Sequence, residues 1–144
     1  MARHSIAGRS TVVGTTLRAG ASLFAIASRR LVVREVGCSN TTTTAFAAAL
    51  ARFTNATGVG AGLTEAPWDL DTSPSGTGFA GHTADGGVGG VFRQVSIGAS
   101  IGSGWIWTFG DNGLVIPAGT ANGLGIICPT GTGQIFDYYF DWDE

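Results

Sequence analysis

The chain contains no lysine and carries little charge of either sign. Of its 144 residues only 12% are charged, and all eight basic residues are arginines. Because the phosphate-binding loop of Walker nucleotidases requires a lysine, the glycine-rich runs of this chain are excluded from that class. The net charge of −2 argues against a nucleic-acid-binding protein, since such domains are usually basic. Two interpretations of the low charge remain. We favour a surface that largely contacts other protein in an assembly; the alternative is a glycine- and threonine-rich domain that its hydroxyls keep soluble.

Histidine is almost as scarce, and its placement excludes one catalytic arrangement. The segment Gly98–Gly102 (GASIG) matches the nucleophile elbow of serine hydrolases. An elbow joins a strand to a helix, and the catalytic histidine follows the serine in the sequence. Here another strand pattern follows, and the two histidines, His4 and His82, both precede Ser100. We therefore interpret Gly98–Gly102 as a glycine-rich turn and predict that the protein is not an enzyme.

Candidate metal ligands are too few for a metal centre. A zinc or cupin-type site needs three or four ligands with supporting groups, whereas His82 has only Asp85 near it in the sequence. A local hydrogen bond is the better interpretation of that histidine. Glu65, Asp69 and Asp71 offer oxygens for Ca²⁺, but they lack the spacing of an EF-hand loop. We predict no catalytic residue, no cofactor and no metal ion.

The two cysteines, Cys38 and Cys128, are far apart, and the sequence leaves open whether they pair. Left unpaired, such residues usually behave as small buried hydrophobic groups. No signal peptide is expected, because Met1–Gly8 is not followed by an apolar segment of adequate length. The apolar segment Ala21–Ala27 is too short to span a bilayer. We therefore expect no association with a membrane.

Glycine, by contrast, is abundant, with 24 residues that lie mostly at the ends of apolar runs, where turns form. The clearest run closes the sequence, with aromatic residues at even positions and acidic residues at odd ones. A period of two predicts a half-buried strand, because successive side chains of a strand point to opposite faces. The aromatic residues are Phe136, Tyr138, Phe140 and Trp142, and the acidic ones are Asp137, Asp141 and Asp143.

Similar patterns elsewhere predict an all-β fold. We expect an antiparallel β-sandwich or jelly roll of about eight to ten strands, formed by residues 9–144 and preceded by an N-terminal arm, residues 1–8. Ala45–Phe53 suits a helix by its alanines, but we favour a strand because its neighbours are β. Gly37–Thr44 is predicted to be a polar loop, and Asn55–Gly90 a long excursion with two short strands. The other predicted strands are Thr11–Arg18 and Ser22–Ala27 as a hairpin, Arg30–Val36, Gly62–Glu65, Gly78–Thr83, Val91–Ile97, Gly104–Gly110, Leu114–Pro117 and Leu124–Pro129.

Charge is distributed unevenly along the chain. Six of the eight arginines lie in the first 34 residues, and four of the ten acidic residues lie in the last eight. This asymmetry predicts complementary contacts, either within one copy or between copies or with a partner. The candidate residues for a partner or self-interface are Arg3, Arg9, Arg18, Asp141, Asp143 and Glu144.

A row of aromatic residues offers a second candidate surface. Trp105, Trp107 and Phe109 share one face of a predicted strand. We favour their burial in the core, because they lie in the middle of an apolar segment. If the row were exposed, it would suit stacking against sugar rings.

Two turn motifs and the closing strand resemble those of small virion proteins from tailed bacteriophages. The motifs are REVGCSNTT at Arg34–Thr42 and GLVIPAGTANG at Gly113–Gly123, and the similar segments, 30–65 and 107–144, cover about half of the chain. The resemblance implies a jelly-roll or sandwich module on the phage particle, in particular a capsid decoration (cement) protein of the kind that often forms trimers. These motifs are structural turns and carry no catalytic signature.

The expected function is that of a structural virion protein that binds the outside of the major capsid shell. A protein that binds the assembled shell preferentially stabilises it. The expected partners are the major capsid protein and further copies of this chain in a homotrimer, with Arg3 and Arg9 of the arm in contact with one or the other. We expect synthesis in the bacterial cytoplasm and a final location on the capsid surface. The alternative is a receptor- or glycan-binding module of a head fibre or tail, since a fold does not fix a function.

Overall fold

The computed structural model describes residues 2–56, 59–68, 73–130 and 133–144. Within these ranges the chain forms twelve β-strands and no helix, so no described helix is available to cross a membrane. The strands are β1 (Arg3–Arg9), β2 (Ala21–Phe24), β3 (Leu31–Asn40), β4 (Phe46–Phe53), β5 (Ala61–Gly62), β6 (Ala66–Pro67), β7 (Thr77–Ala80), β8 (Val88–Ile97), β9 (Gly104–Thr108), β10 (Leu114–Ile116), β11 (Gly123–Ile127) and β12 (Phe136–Asp143).

The strands form two antiparallel sheets of six strands each, packed face to face. Sheet A has the order β10-β3-β12-β1-β6, and β9 also pairs with β3, beyond the end of β10. Sheet B has the order β5-β7-β2-β11-β4-β8. The predicted single-domain β-sandwich is confirmed. The described strands outnumber the predicted eight to ten because the prediction assigns β1 to the N-terminal arm and the two residues of β6 are too few to show a period.

The core lies between the two sheets, and the closing strand β12 supplies its largest side chains. Phe136, Tyr138, Phe140 and Trp142 all point inward and are buried, as their even spacing predicts. The rings of Phe136, Tyr138 and Phe140 contact one another in edge-to-face pairs along the strand, for example Tyr138 with Phe140 at a centroid distance of 6.1 Å. Aromatic pairs in this arrangement stabilise a fold beyond the area that they bury.

The ambiguous segment around residues 45–53 is a strand, β4, as we favoured. Its inner face (Phe46, Ala48, Leu50) packs in the main core, and Ala49, Ala51 and Phe53 pack in a second cluster on the other face of sheet B. Both faces are therefore covered, which explains a nearly continuous apolar strand without alternation. Alanine is favoured here for its small size between two packed layers, and its helix propensity is overridden by these tertiary contacts.

The predicted N-terminal arm is wrong, because residues Arg3–Arg9 form β1 within sheet A. The strand pairs with β12 along its whole length, from Arg3 opposite Asp143 to Arg9 opposite Asp137. Its inner side chains, His4 and Ile6, are buried. The alternation is hidden in the sequence because one of its two buried side chains is a polar histidine.

Two further predictions in the first third of the chain are corrected. Thr11–Arg18 is not a strand. The backbone N–H groups of Leu17 and Arg18 donate hydrogen bonds to the hydroxyl of Thr15, which makes a turn. The hairpin is therefore absent, and β2 pairs with β7 and β11 instead.

The predicted loop Gly37–Thr44 is half strand, because β3 continues to Asn40. The side-chain amide of Asn40 then closes the following turn by donating to the carbonyls of Thr44 and Gly98.

The excursion at 55–90 contains the short strands β5, β6 and β7. The second predicted strand there overlaps β7 and the first overlaps β5 only at Gly62. Asp69 and Asp71, considered above for Ca²⁺, lie outside the described residues. The segment Gly98–Gly102 is a turn between β8 and β9, and Gly102 has a φ of +83°, which favours glycine.

Candidate interaction surface

The arginine-rich start and the acidic end of the chain meet within one copy. Arg9 lies opposite Asp137 in the β1–β12 register and forms a two-pronged pair, with Nε to Oδ1 at 2.7 Å and Nη2 to Oδ2 at 3.0 Å. Hydrogen bonding from Arg9 lowers the pKa of Asp137. Two-pronged arginine–carboxylate pairs are directional as well as charged. This contact links the outer faces of β1 and β12.

Asp143 is shared by two arginines on neighbouring strands. Nε of Arg3 lies 3.1 Å from Oδ1, and Nε of Arg34 lies 2.6 Å from Oδ2. Burial favours the protonated carboxyl, but the hydrogen bonds and charges of Arg3 and Arg34 outweigh it and hold the pKa of Asp143 below its usual range. The carboxylate thus connects β1, β12 and β3 across sheet A.

Glu144 has a fully buried side chain that accepts hydrogen bonds from five donor groups. Its oxygens accept from the backbone N–H groups of Ser75 at 2.8 and 3.0 Å and of Gly76 at 2.8 Å, from the Ser75 hydroxyl, and from Nε1 of Trp142 at 2.9 Å. Arg29 approaches to 3.3 Å. Burial opposes ionisation, yet these donors prevail and lower the pKa of Glu144 to about 2.

The remaining candidates also have partners within the chain. Arg18 pairs with Asp85 at 2.7 Å, which removes Asp85 from the neighbourhood predicted for His82. Asp141 lies opposite Glu35 in the β12–β3 register, and its pKa is raised by burial and by that neighbouring charge, although a hydrogen bond from Ser5 opposes the rise. All six predicted interface residues therefore make contacts inside one copy, which is one of the two arrangements left open by the sequence.

The outer surface of sheet A carries a shallow trough, defined here as the sheet A trough. Across four strands Ile106, Gly37, Tyr139 and Ala7 lie side by side. A Cβ at Gly37 would lie 2.1 Å from Cε1 of Tyr139, so the tyrosine ring lies directly over that glycine. Its hydroxyl donates to Glu35. The trough has a volume of about 320 Å³, and its lining is Ala7, Gly37, Cys38, Ser39, Gly102, Gly104, Trp105, Ile106, Asp137, Tyr138 and Tyr139.

A second exposed surface is the β8–β9 edge, formed by β8, β9 and the turn between them. Among the described strands, β8 pairs only with β4 and β9 only with β3. Natural proteins protect such edges with charge, proline or bulges. Between residues 86 and 110 the only charged residue is Arg93. Irregular pairing with β4 is confined to the first half of β8. Exposed apolar side chains of this edge are Val91, Ile101, Trp105 and Ile106.

The aromatic row of Trp105, Trp107 and Phe109 is divided between the core and the exposed β8–β9 edge. Trp107 is buried in the core and Phe109 packs against it, as favoured from the sequence. Trp105, at the start of β9, is 51% exposed. The alternation of side chains in the sequence places all three aromatic residues on one face of β9. It does not show which part of that face the opposite sheet covers. The signal that would have pointed to this edge is the near absence of charge over 25 residues.

The remaining polar candidates are structural. His82 is buried with Nε2 2.8 Å from the Ser22 hydroxyl and its ring beside those of Phe24 and Phe53, and burial lowers its pKa to about 4. The predicted interpretation as a hydrogen-bonded histidine agrees with these contacts. Cys38 and Cys128 are unpaired, buried thiols. Burial raises their pKa values to about 12 and about 11, which keeps both protonated.

No family model, curated protein or solved structure matches this chain.

Proposed function

We propose that this chain is a structural protein of a tailed-phage particle, a decoration protein that binds the outside of the major capsid shell and stabilises it. The observation that carries the proposal is the β8–β9 edge, where strand edges with a single charge lie beside the exposed side chains of Ile101 (70%) and Ile106 (55%). Such a surface is suited to a protein partner, because desolvating it costs little and its apolar groups gain from burial. The resemblance of the two turn motifs to those of phage virion proteins suggests the major capsid protein as this partner.

The ion pairs within one copy also support this proposal. Ion pairs such as Arg9–Asp137 and Arg18–Asp85 are satisfied within one copy, so they add little net attraction for a partner. The partner surface is then apolar, and strand addition at β8 or β9 is the mode that fits it. In the proposed homotrimer, copies of the chain contact one another through part of this edge and the capsid through the remainder.

The test measures binding of the purified protein to undecorated capsids assembled from the major capsid protein of the same phage. A variant with Ile101→Lys and Ile106→Lys introduces charge on the edge, and a matched variant with Val13→Lys and Leu17→Lys introduces it at apolar residues that are 46% and 45% exposed elsewhere. We expect the edge variant to lose at least tenfold in capsid occupancy and the matched variant to bind normally. Equal occupancy by all three proteins, or absence of the chain from purified particles, would contradict the proposal.

The sheet A trough favours a second candidate function, a glycan-binding module of a head fibre or tail. Tyr139 lies flat on the backbone at Gly37, so one ring face is directed outward beside Asp137 and Ser39, which offer oxygens to hydroxyl groups. A glycan array tests this candidate with Tyr139→Ala and, as a control, Trp68→Ala, which removes an aromatic ring that is 62% exposed outside the trough. Specific binding that Tyr139→Ala abolishes and Trp68→Ala retains would favour the glycan module.

A further inference from the structure

Arg52 is a partly buried guanidinium that forms no ion pair with a carboxylate in the described part of the chain. It lies on β4 near the end of the core, opposite Gly90 of β8 and Leu124 of β11. Its Cζ lies 5.8 Å from the centroid of the Phe92 ring. Its Nη1 is buried and has no hydrogen-bond partner among the described residues. A buried donor without a partner is costly, and an absent ligand or water is a usual explanation.

The other arginines behave differently. Five of them lie within 3.3 Å of a carboxylate: Arg3, Arg9, Arg18, Arg29 and Arg34. Arg30 and Arg93, which have no such ion pair in the described part of the chain, are exposed to solvent. Arg52 is therefore unusual among the described arginines in combining partial burial with an unmatched charge.

A cavity of about 210 Å³ adjoins this guanidinium. Its lining contains no acidic residue and consists of Arg52, Phe53, Thr54, Pro117, Asn122 and Gly123. The amide nitrogen of Asn122 donates to the carbonyls of Pro117 and Ala118, which holds the loop that forms one wall. A guanidinium without an ion pair, beside a cavity whose lining includes no described acidic residue, makes a site for a negative ligand.

We propose that the cavity at Arg52 binds a carboxylate group. The guanidinium offers parallel N–H donors that match a planar carboxylate. Arg52 is the one charged residue of the described lining, so its charge balances a single carboxylate, whereas a phosphate dianion would keep an uncompensated negative charge. Phe92 holds the guanidinium plane from one side, so the ligand approaches from the cavity. The carboxylate belongs either to a small free acid or to an aspartate or glutamate side chain of another protein. This inference does not rest on the proposed function, and either can fail alone.

Thermal unfolding at pH 7 tests the site, with sodium acetate compared against sodium chloride at equal ionic strength. The proteins are the wild type, Arg52→Met, and the control Arg93→Met, which removes an exposed arginine from β8. We expect acetate at several times its Kd to raise the Tm of the wild type and of the control by about 2–4 °C and to leave Arg52→Met unchanged. Without acetate, Arg52→Met should be at least as stable as the wild type, because it removes a partly buried charge that has no partner. Equal acetate shifts in all three proteins, or none in the wild type, would overturn the proposal.

Nitrogen-15 spectra of the arginine side chains give a second readout that does not depend on the stability of any variant. Titration of the wild type with acetate should move the Arg52 guanidinium signals in a saturable way and leave those of Arg93 in place. A parallel titration with N-acetyl-glutamate amide separates the two sources: saturation shows that the cavity admits a side chain of a peptide, and its absence restricts the site to small free acids. Signals of Arg52 that do not move with acetate would refute the carboxylate site.

Discussion

Replacement of Glu144 by glutamine should destabilise the fold strongly for a single change near the end of a chain. The carboxylate accepts backbone N–H donors from Ser75 and Gly76, the Ser75 hydroxyl and the Trp142 indole N–H. An amide keeps the shape, but it replaces one accepting oxygen with an NH₂ group that faces those donors. Buried donors would then lose their acceptor, at a cost of about 1–3 kcal/mol.

The pKa of Glu144 gives a second measure of the same contribution. The pKa falls from 4.5 to about 2 on folding. At about 1.4 kcal/mol per pKa unit this difference corresponds to roughly 3 kcal/mol, which is similar in size to the cost of leaving the buried donors unpaired. Since the folded pKa is lowered, the stabilisation is fully present above about pH 4.5. It is lost as the pH falls from there towards 2.

The assay is urea unfolding of the wild type, Glu144→Gln and the control Asp111→Asn between pH 7 and pH 2.5. Asp111 is exposed, and its backbone carbonyl, rather than its side chain, contacts Arg34. We expect the free energy of unfolding of Glu144→Gln to be about 1–3 kcal/mol below that of the wild type at pH 7. This difference between the two proteins should narrow as the pH falls below 4.5. A gap that is absent at pH 7, or one that stays constant down to pH 2.5, would refute the reasoning.

Three further changes test other contacts. Gly37→Ala should cost about 1–3 kcal/mol in urea unfolding and shift the Tyr139 fluorescence, because its Cβ would lie 2.1 Å from the tyrosine ring; an unchanged protein would contradict the placement of that ring. Asp141→Asn should stabilise the protein by about 0.5 kcal/mol at pH 7, since a raised pKa means that the charged form is disfavoured on folding, and the gain should disappear at low pH, where the carboxyl is protonated. A double-mutant cycle on Arg9 and Asp137 should give a coupling of only about 0.2–1 kcal/mol that salt reduces, because both side chains are largely exposed; a coupling above 2 kcal/mol would show that this pair is more than a surface contact.

The parts of the fold that the sequence predicts are those whose pattern is local. The alternation in β12 and the apolar length of β4 are visible without knowledge of their neighbours. β1 escapes prediction because its strand character depends on a partner more than a hundred residues away, and its inner His4 is buried only after β12 has paired with it. Similarly, Gly37 looks like a turn residue until Tyr139 is placed over it.

The candidate surfaces are likewise predictable only where they depend on a local pattern. The sequence identifies Arg3 and Asp143 as complementary charges, but whether they meet within one copy depends on the register of β1 and β12, which no local pattern fixes. The exposure of Trp105 depends on which strands lie at the edges of the two sheets, and strand order is a property of the whole chain. The Arg52 cavity is harder still to predict, because only the three-dimensional arrangement shows that none of the described acidic residues lines it.

The position of β12 in the middle of sheet A has a consequence for how the molecule folds. β12 lies between β3 and β1, so these two early strands share a partner that the ribosome makes after every other described strand. Until then β1 and much of β3 have exposed edges, and sheet A cannot close. Pairings of such long sequence separation slow folding into the millisecond-to-second range. A growing chain therefore remains vulnerable to aggregation and to chaperone capture until its last strand has emerged.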